Sequence, residues 1–276
     1  MWIDAHHHLW KYNDRDYVWM TGAMQPLRRD FLIPELRSAF EESDVEGSVA
    51  VQARQSLAET EWLLQLAAEC SLIRGVVGWV PLIDGRVEES LDRLSQNPRL
   101  KSVRHVLHDE ADDFYMLRED FNRGVDQLHE RGLAYDILVF ERHLPQTIQF
   151  VDRHPNQIFI LDHIAKPRIR EGILSPWKDS IQVLAKRDNV YCKLSGMVTE
   201  AQWNSWTPGD LAPFFEIVLS AFGPKRLMFG SDWPVLTLAC SYNKWTNIVR
   251  SFIATLSADE QELVSSGSAI EAYRLS

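Results

Sequence analysis

The chain has 276 residues, 45% of them hydrophobic and 25% charged, with a formal net charge of −10. That composition belongs to a globular protein and excludes a disordered or collagen-like chain. Nucleic acid and anionic membrane surfaces both need a cationic footprint, so neither is an expected partner.

Short β-rich runs begin near Trp2 (WIDA), Gly47 (GSVAVQA), Gly75 (GVVGWV), Leu100 (LKSVRH), Leu133 (LAYDILV), Ile158 (IFILD), Val190 (VYCKLS) and Leu227 (LMFGS). Several are near-continuous apolar stretches, the pattern of parallel strands covered on both faces. Helical patterns lie between them. Over residues 61–72 an apolar face runs through Trp62, Leu63 and Leu66, and over 118–131 another runs through Phe121, Val125 and Leu128, with Gly132 as a stop. Ser257-Ala258-Asp259-Glu260 has the form of a capping box opening the last helix.

The strand starts are 45, 28, 25, 33, 25, 32 and 37 residues apart, close to the roughly 30 residues of a βα unit. Eight such units predict an α/β protein, a (β/α)8 barrel occupying 1–276 as one domain; a doubly wound open sheet is the competing arrangement. No Pro/Gly/Ser-rich linker and no low-complexity tract divides the chain. Cys70, Cys192 and Cys240 are odd in number and form no C-x-x-C pair, which fits a reducing compartment. No basic-then-apolar leader and no apolar run of about 20 residues is visible, so a cytoplasmic location is expected.

In a parallel barrel, chemistry sits where strands end and βα loops begin. Five of nine histidines fall there: His6, His7, His8, His105 and His163. On an extended strand His6 and His8 project to one side, with His7 pointing elsewhere, and two such imidazoles can share a metal ion or one substrate group. Asp232 should project from the top of the eighth strand. Two long loops, 9–31 and 197–209, carry aromatics (Trp10, Tyr12, Tyr17, Trp19; Trp203, Trp206) that either cover a substrate or pack on the rim. Cys192, within a strand, reads as buried and inert.

The segments IDAHHHLW (3–10), LDHIAKP (161–167), CKLSGM (192–197) and FGSDWP (229–234) resemble the amidohydrolase superfamily, and within it the sugar-lactone-hydrolase branch. The resemblance implies a distorted (β/α)8 barrel of the metallo-dependent-hydrolase kind. It implies that His6 and His8 are the first-strand metal-ligand or substrate-facing pair. His163 is then the sixth-strand histidine, Asp232 the acid that activates water, and Arg104 with His105 a strand-four pair facing the substrate. Lys166 either joins them or pairs with a rim carboxylate. A bridging lysine on strand four and a histidine on strand five, which binuclear members carry, are both missing here, so a two-metal site is not expected. Either Asp136 or Glu141 supplies a fifth-strand carboxylate.

The activity this implies is hydrolysis of an aldonolactone, such as L-fucono- or L-rhamnonolactone, to the open-chain acid. Asp232 is the expected base. With a metal, His6, His8 and Asp232 are the expected ligands and zinc the expected ion; without one, His6, His8, His163 and Arg104 polarise the carbonyl. Gln52, Arg54, Arg104, His105 and Lys166 suit a polyhydroxylated ligand, and Trp10, Trp79 and Trp233 either offer flat faces to a sugar or pack in the core or on the rim. Trp2 and Trp62 read as structural. Two other readings compete: a metal-dependent decarboxylase or C–C hydrolase of the same superfamily, and a non-catalytic sugar-binding protein.

Overall fold

The computed structural model describes residues 1–41 and 43–276. Eight strands run in sequence order around one sheet: β1 (Trp2–His7), β2 (Val45–Val51), β3 (Ile73–Gly78), β4 (Leu100–Val106), β5 (Ala134–Leu138), β6 (Phe159–Leu161), β7 (Val190–Leu194) and β8 (Leu227–Phe229). Every neighbouring pair is parallel. The apolar runs are strands because both faces are covered: all five residues of β5 and of β7 are buried. Helices such as Leu57–Glu69, Glu119–His129 and Leu144–Arg153 fill the connections.

β8 is short, and closure against β1 falls to the residues just after it. Asp232 N–H donates to the His6 carbonyl at 2.8 Å, His8 N–H donates to the Trp233 carbonyl at 2.6 Å, and His7 bridges to Trp233. The open-sheet alternative is therefore set aside for a nearly closed barrel. The same contacts bring the strand-one histidines beside Asp232.

Helix edges differ slightly from the sequence pattern. The second helix begins at Leu57 because Ser56 caps it, its side chain accepting from Glu59 N–H. The Ser257–Glu260 capping box is present, yet it opens only a short helix, Ala258–Glu262. A wide turn, Leu263–Gly267, follows before the final helix Ser268–Tyr273. Ala269, Ala272, Tyr273 and Leu275 pack with Ile3, Val49, Val77, Ala134, Ile160 and Met228 in one apolar cluster, so the chain's end packs on residues of the strands. Among the described residues, no helix is long and apolar enough to cross a membrane.

The first long loop does not form an aromatic cover. Trp10 and Phe31 pair backbone to backbone, folding the loop on itself. Trp10 and Tyr17 are fully buried, and Trp10 meets Trp19 and Phe31 edge to face at 5.9 and 5.3 Å. Trp206, likewise buried, donates its indole N–H to the Ala239 carbonyl. These rings pack the rim.

Candidate active site

Alternation and one irregularity in β1 aim the first two imidazoles of the site. The β1–β2 register shifts between Asp4 and His7, and His6 and His8 end with their Nε2 atoms 3.1 Å apart. His7 turns away to Ser48 Oγ and Phe40. Asp232 Oδ1 lies 3.3 Å from His8 Nε2, 3.7 Å from His6 Nε2 and 3.9 Å from His163 Nε2. Three imidazoles, one at the end of β1, one just after it and one just after β6, thus meet at one oxygen of the carboxylate that follows β8.

His163 and Asp232 both hold left-handed backbone, with φ of 52° and 60°. His163 opens a run of four such non-glycine residues through Lys166. Its Nδ1 is 2.9 Å from Ser195 Oγ. Gly196 backs the ring, where an added Cβ would come within 2.6 Å of Nδ1.

Below this cluster lies a buried ionic layer. Lys193 Nζ contacts Asp136 Oδ2 at 2.5 Å and Asp162 Oδ1 at 2.8 Å. Arg104 donates to Asp162 Oδ2 and to Gln52 Oε1, each at 2.8 Å. The open question at strand five is thereby resolved: Asp136 faces inward, while Glu141 pairs with Arg168 on the rim at 2.6 Å.

Burial dominates the electrostatics. It pushes His6 well below the ordinary imidazole value and His163 down to about 3. It also works to raise Asp232, but His163, His8 and Lys166 outweigh it and hold that carboxyl below the usual range. In the layer beneath, burial wins at Asp136, which is raised. At Asp162 the neighbouring Lys193 and His6 overcome burial and keep the carboxylate ionised.

Several expected substrate contacts are corrected. Arg104 and His105 cannot both face the centre, because adjacent strand residues point to opposite sides. His105 stacks on Tyr115, meets Phe121 edge-on and pairs with Glu110 at 2.6 Å. Trp10, with no exposed surface, and Trp233, 4% exposed against Phe31, present no face to a ligand. Gln52 is buried and acts by holding Arg104. Trp79 stays half-buried, its indole donating toward His105 Nδ1. Lys166 takes the rim alternative, pairing with Glu200 at 3.0 Å.

Sequence reasoning passed over Lys193, Asp162 and Ser195. The signal was available for Lys193: a charged residue inside a fully buried strand requires a partner. His108 was also passed over; it sits on a turn after β4, against Phe140.

A metal ion fits the upper cluster. Tetrahedral zinc with bonds of roughly 2.0–2.1 Å sets its ligand atoms about 3.3 Å apart, and the His6, His8 and Asp232 atoms are separated by 3.1, 3.3 and 3.7 Å. His8 Nδ1, 2.8 Å from the Val51 carbonyl, must carry its proton there, so its Nε2 offers a lone pair inward.

The chain resembles known proteins along its whole length. The amidohydrolase family profile matches residues 3–275. An L-fucono-1,5-lactonase from Burkholderia multivorans is 39% identical over 286 residues, covering 99% of this chain and 96% of the relative. Another from Burkholderia ambifaria is 36% identical, covering 86% and 81%. A solved amidohydrolase structure from Burkholderia multivorans with bound zinc superposes with a TM-score of 0.95 at 39% identity, over 100% of both chains.

Proposed function

The chain belongs to the amidohydrolase family, and from that premise we propose that it hydrolyses a sugar lactone, such as L-fucono- or L-rhamnonolactone, to the open-chain acid. The observation that carries this reading is the convergence of His6, His8 and His163 on Asp232 Oδ1 within 3.9 Å, above a buried guanidinium. Curated relatives carrying the lactonase name support the substrate class.

Asp232 is ionised at neutral pH and takes a proton from the attacking water, with the lone pair of His8 accepting the water's second hydrogen bond. The water oxygen bonds to the lactone carbonyl carbon. Charge then develops on the carbonyl oxygen, which His6, His163 and Arg104 stabilise. Collapse breaks the ring C–O bond, and the proton held by Asp232 passes to the departing ring oxygen, giving the hydroxy acid. When held by His6, His8 and Asp232, a divalent ion, zinc for so His-rich a set, supplies Lewis-acid polarisation and promotes ionisation of water.

Lys166 links this centre to a cavity of about 520 Å³ lined by Phe140, Glu141, Lys166, Arg168 and Glu200, within the roughly 300–1,000 Å³ common for ligand sites. Its mixed charges suit the hydroxyls of a sugar. The test is the variant Asp232→Asn, assayed by acid release from L-fucono-1,5-lactone. A loss of about 10²–10⁴-fold in kcat with KM little changed is expected for a missing general base. Undiminished turnover removes Asp232 from the mechanism.

A further inference from the structure

The backbone of Asp232 is left-handed, with φ of 60°, a region that residues other than glycine rarely adopt. Such geometry persists only where the surroundings over-determine it. Around Asp232, three successive amide hydrogens are all captured. Ser231 N–H donates to Asp4 Oδ1 at 2.9 Å, Asp232 N–H to the His6 carbonyl at 2.8 Å, and Trp233 N–H to Ser231 Oγ at 2.9 Å. Ser231 Oγ is fixed in turn, because its hydroxyl donates to Asp4 Oδ2 at 2.6 Å, a closer partner than the His6 carbonyl at 3.2 Å. Two of the three captures therefore end on Asp4, one directly and one through Ser231.

Asp4 also grips its own strand and a neighbouring helix. β1 departs from regular register with β2 between Asp4 and His7, and within that stretch the His6 N–H turns to Asp4 Oδ1 at 3.0 Å. Tyr242, at the start of the helix Tyr242–Ile253, donates to Asp4 Oδ2 at 2.9 Å. Four donors thus fill the roughly four lone-pair positions of one carboxylate. Asp4 has no exposed surface, so it touches no substrate and can act only through the residues it holds.

We infer that Asp4 is a positioning residue: through Ser231 it holds Asp232 in the left-handed backbone that aims its carboxylate at the histidines, and through the His6 amide it holds the strand end that carries two of them. The positioning follows from the contacts alone, whereas its bearing on hydrolysis rests on the function proposed above. Asp4 and Asp232 stand on the two sides of the β1–β8 seam, so the buried carboxylate sets the register of the one that meets the water. Misplacing a reacting group by about 1 Å costs on the order of 10²-fold in rate.

The test pairs structure with kinetics. In a crystal structure of Asp4→Ala, Asp232 should leave the left-handed region and its Oδ1 should move out of hydrogen-bond range of His8 Nε2. Turnover of L-fucono-1,5-lactone should fall by about 10²-fold in kcat with KM near wild type. Asp4→Asn keeps one oxygen for the two amide hydrogens and should recover part of that loss, a rescue that cavity filling alone does not give. Because Asp4 acts through Ser231, adding Ser231→Ala to Asp4→Ala should cost little more than the larger single loss. An unmoved Asp232, wild-type kcat in folded Asp4→Ala, or losses that simply add would each overturn the inference. If Asp4→Ala does not fold, Ser231→Ala alone carries the test, with the same displacement and loss in kcat expected and an unmoved Asp232 overturning it. A displaced Asp232 in a protein whose wild type hydrolyses no lactone would retain the positioning role and reject the reaction.

Discussion

His163 and Asp232 are held in backbone geometry that favours glycine, as are Ile164, Ala165 and Lys166. Left-handed geometry costs a non-glycine residue roughly 1–2 kcal/mol, and such strain collects at functional sites. Here it points the sixth-strand imidazole back toward Asp232, where Ser195 and Gly196 receive it. Gly196 meets two demands, with φ of 67° and a Cβ position inside van der Waals range of the His163 ring. Gly196→Ala should therefore lower kcat by displacing His163 and cost about 1–3 kcal/mol of stability. Paired kinetics and urea unfolding would check this; a variant unchanged in both would show that His163 does not depend on that contact. Cys192 is buried as expected, and that burial pushes its thiol above the ordinary value.

At the scale of elements, what could be read in advance divides along strand alternation. All eight strands begin within two residues of their sequence signals, because continuous apolar runs leave few other solutions. His6 and His8 came together as the two-residue period requires. The same period separates His105 from Arg104. Trp10 takes the packing alternative, which its sequence context leaves open because nothing local shows that residues 9–31 fold back through the Trp10–Phe31 pairing. The helices Glu119–His129 and Leu144–Arg153 meet through His154, whose Nδ1 is 2.8 Å from Asp126 and Nε2 2.7 Å from Asn122. Burial lowers the His154 value below 6.5, with Asp126 opposing. The unfolded chain takes up that proton below pH 6.5 while the folded chain resists it, so this contribution to stability is lost as pH falls. The stability gap between wild type and His154→Gln should accordingly narrow between about pH 7.5 and about pH 5.5. Urea midpoints at both values measure it; a gap that widens toward acid would reverse the assignment.

For the whole molecule, barrel closure and site assembly are one event. The backbone bonds that join the segment after β8 to β1 also place Asp232 between His6 and His8, so damage to the seam should be damage to catalysis. The ionic layer beneath was illegible in the sequence because Asp136, Asp162 and Lys193 come from β5, the residue after β6 and β7, and only the pairing of those neighbouring strands brings their charges within 3 Å. The claim on which the account turns is the reaction itself, and one measurement addresses it. Initial-rate acid release should be followed in weak buffer with a pH indicator across a panel of aldonolactones that includes the L-fucono and L-rhamnono compounds. Rapid, saturable turnover of at least one of these sugar lactones is expected, and a panel that shows no rate above spontaneous hydrolysis would contradict the lactonase assignment.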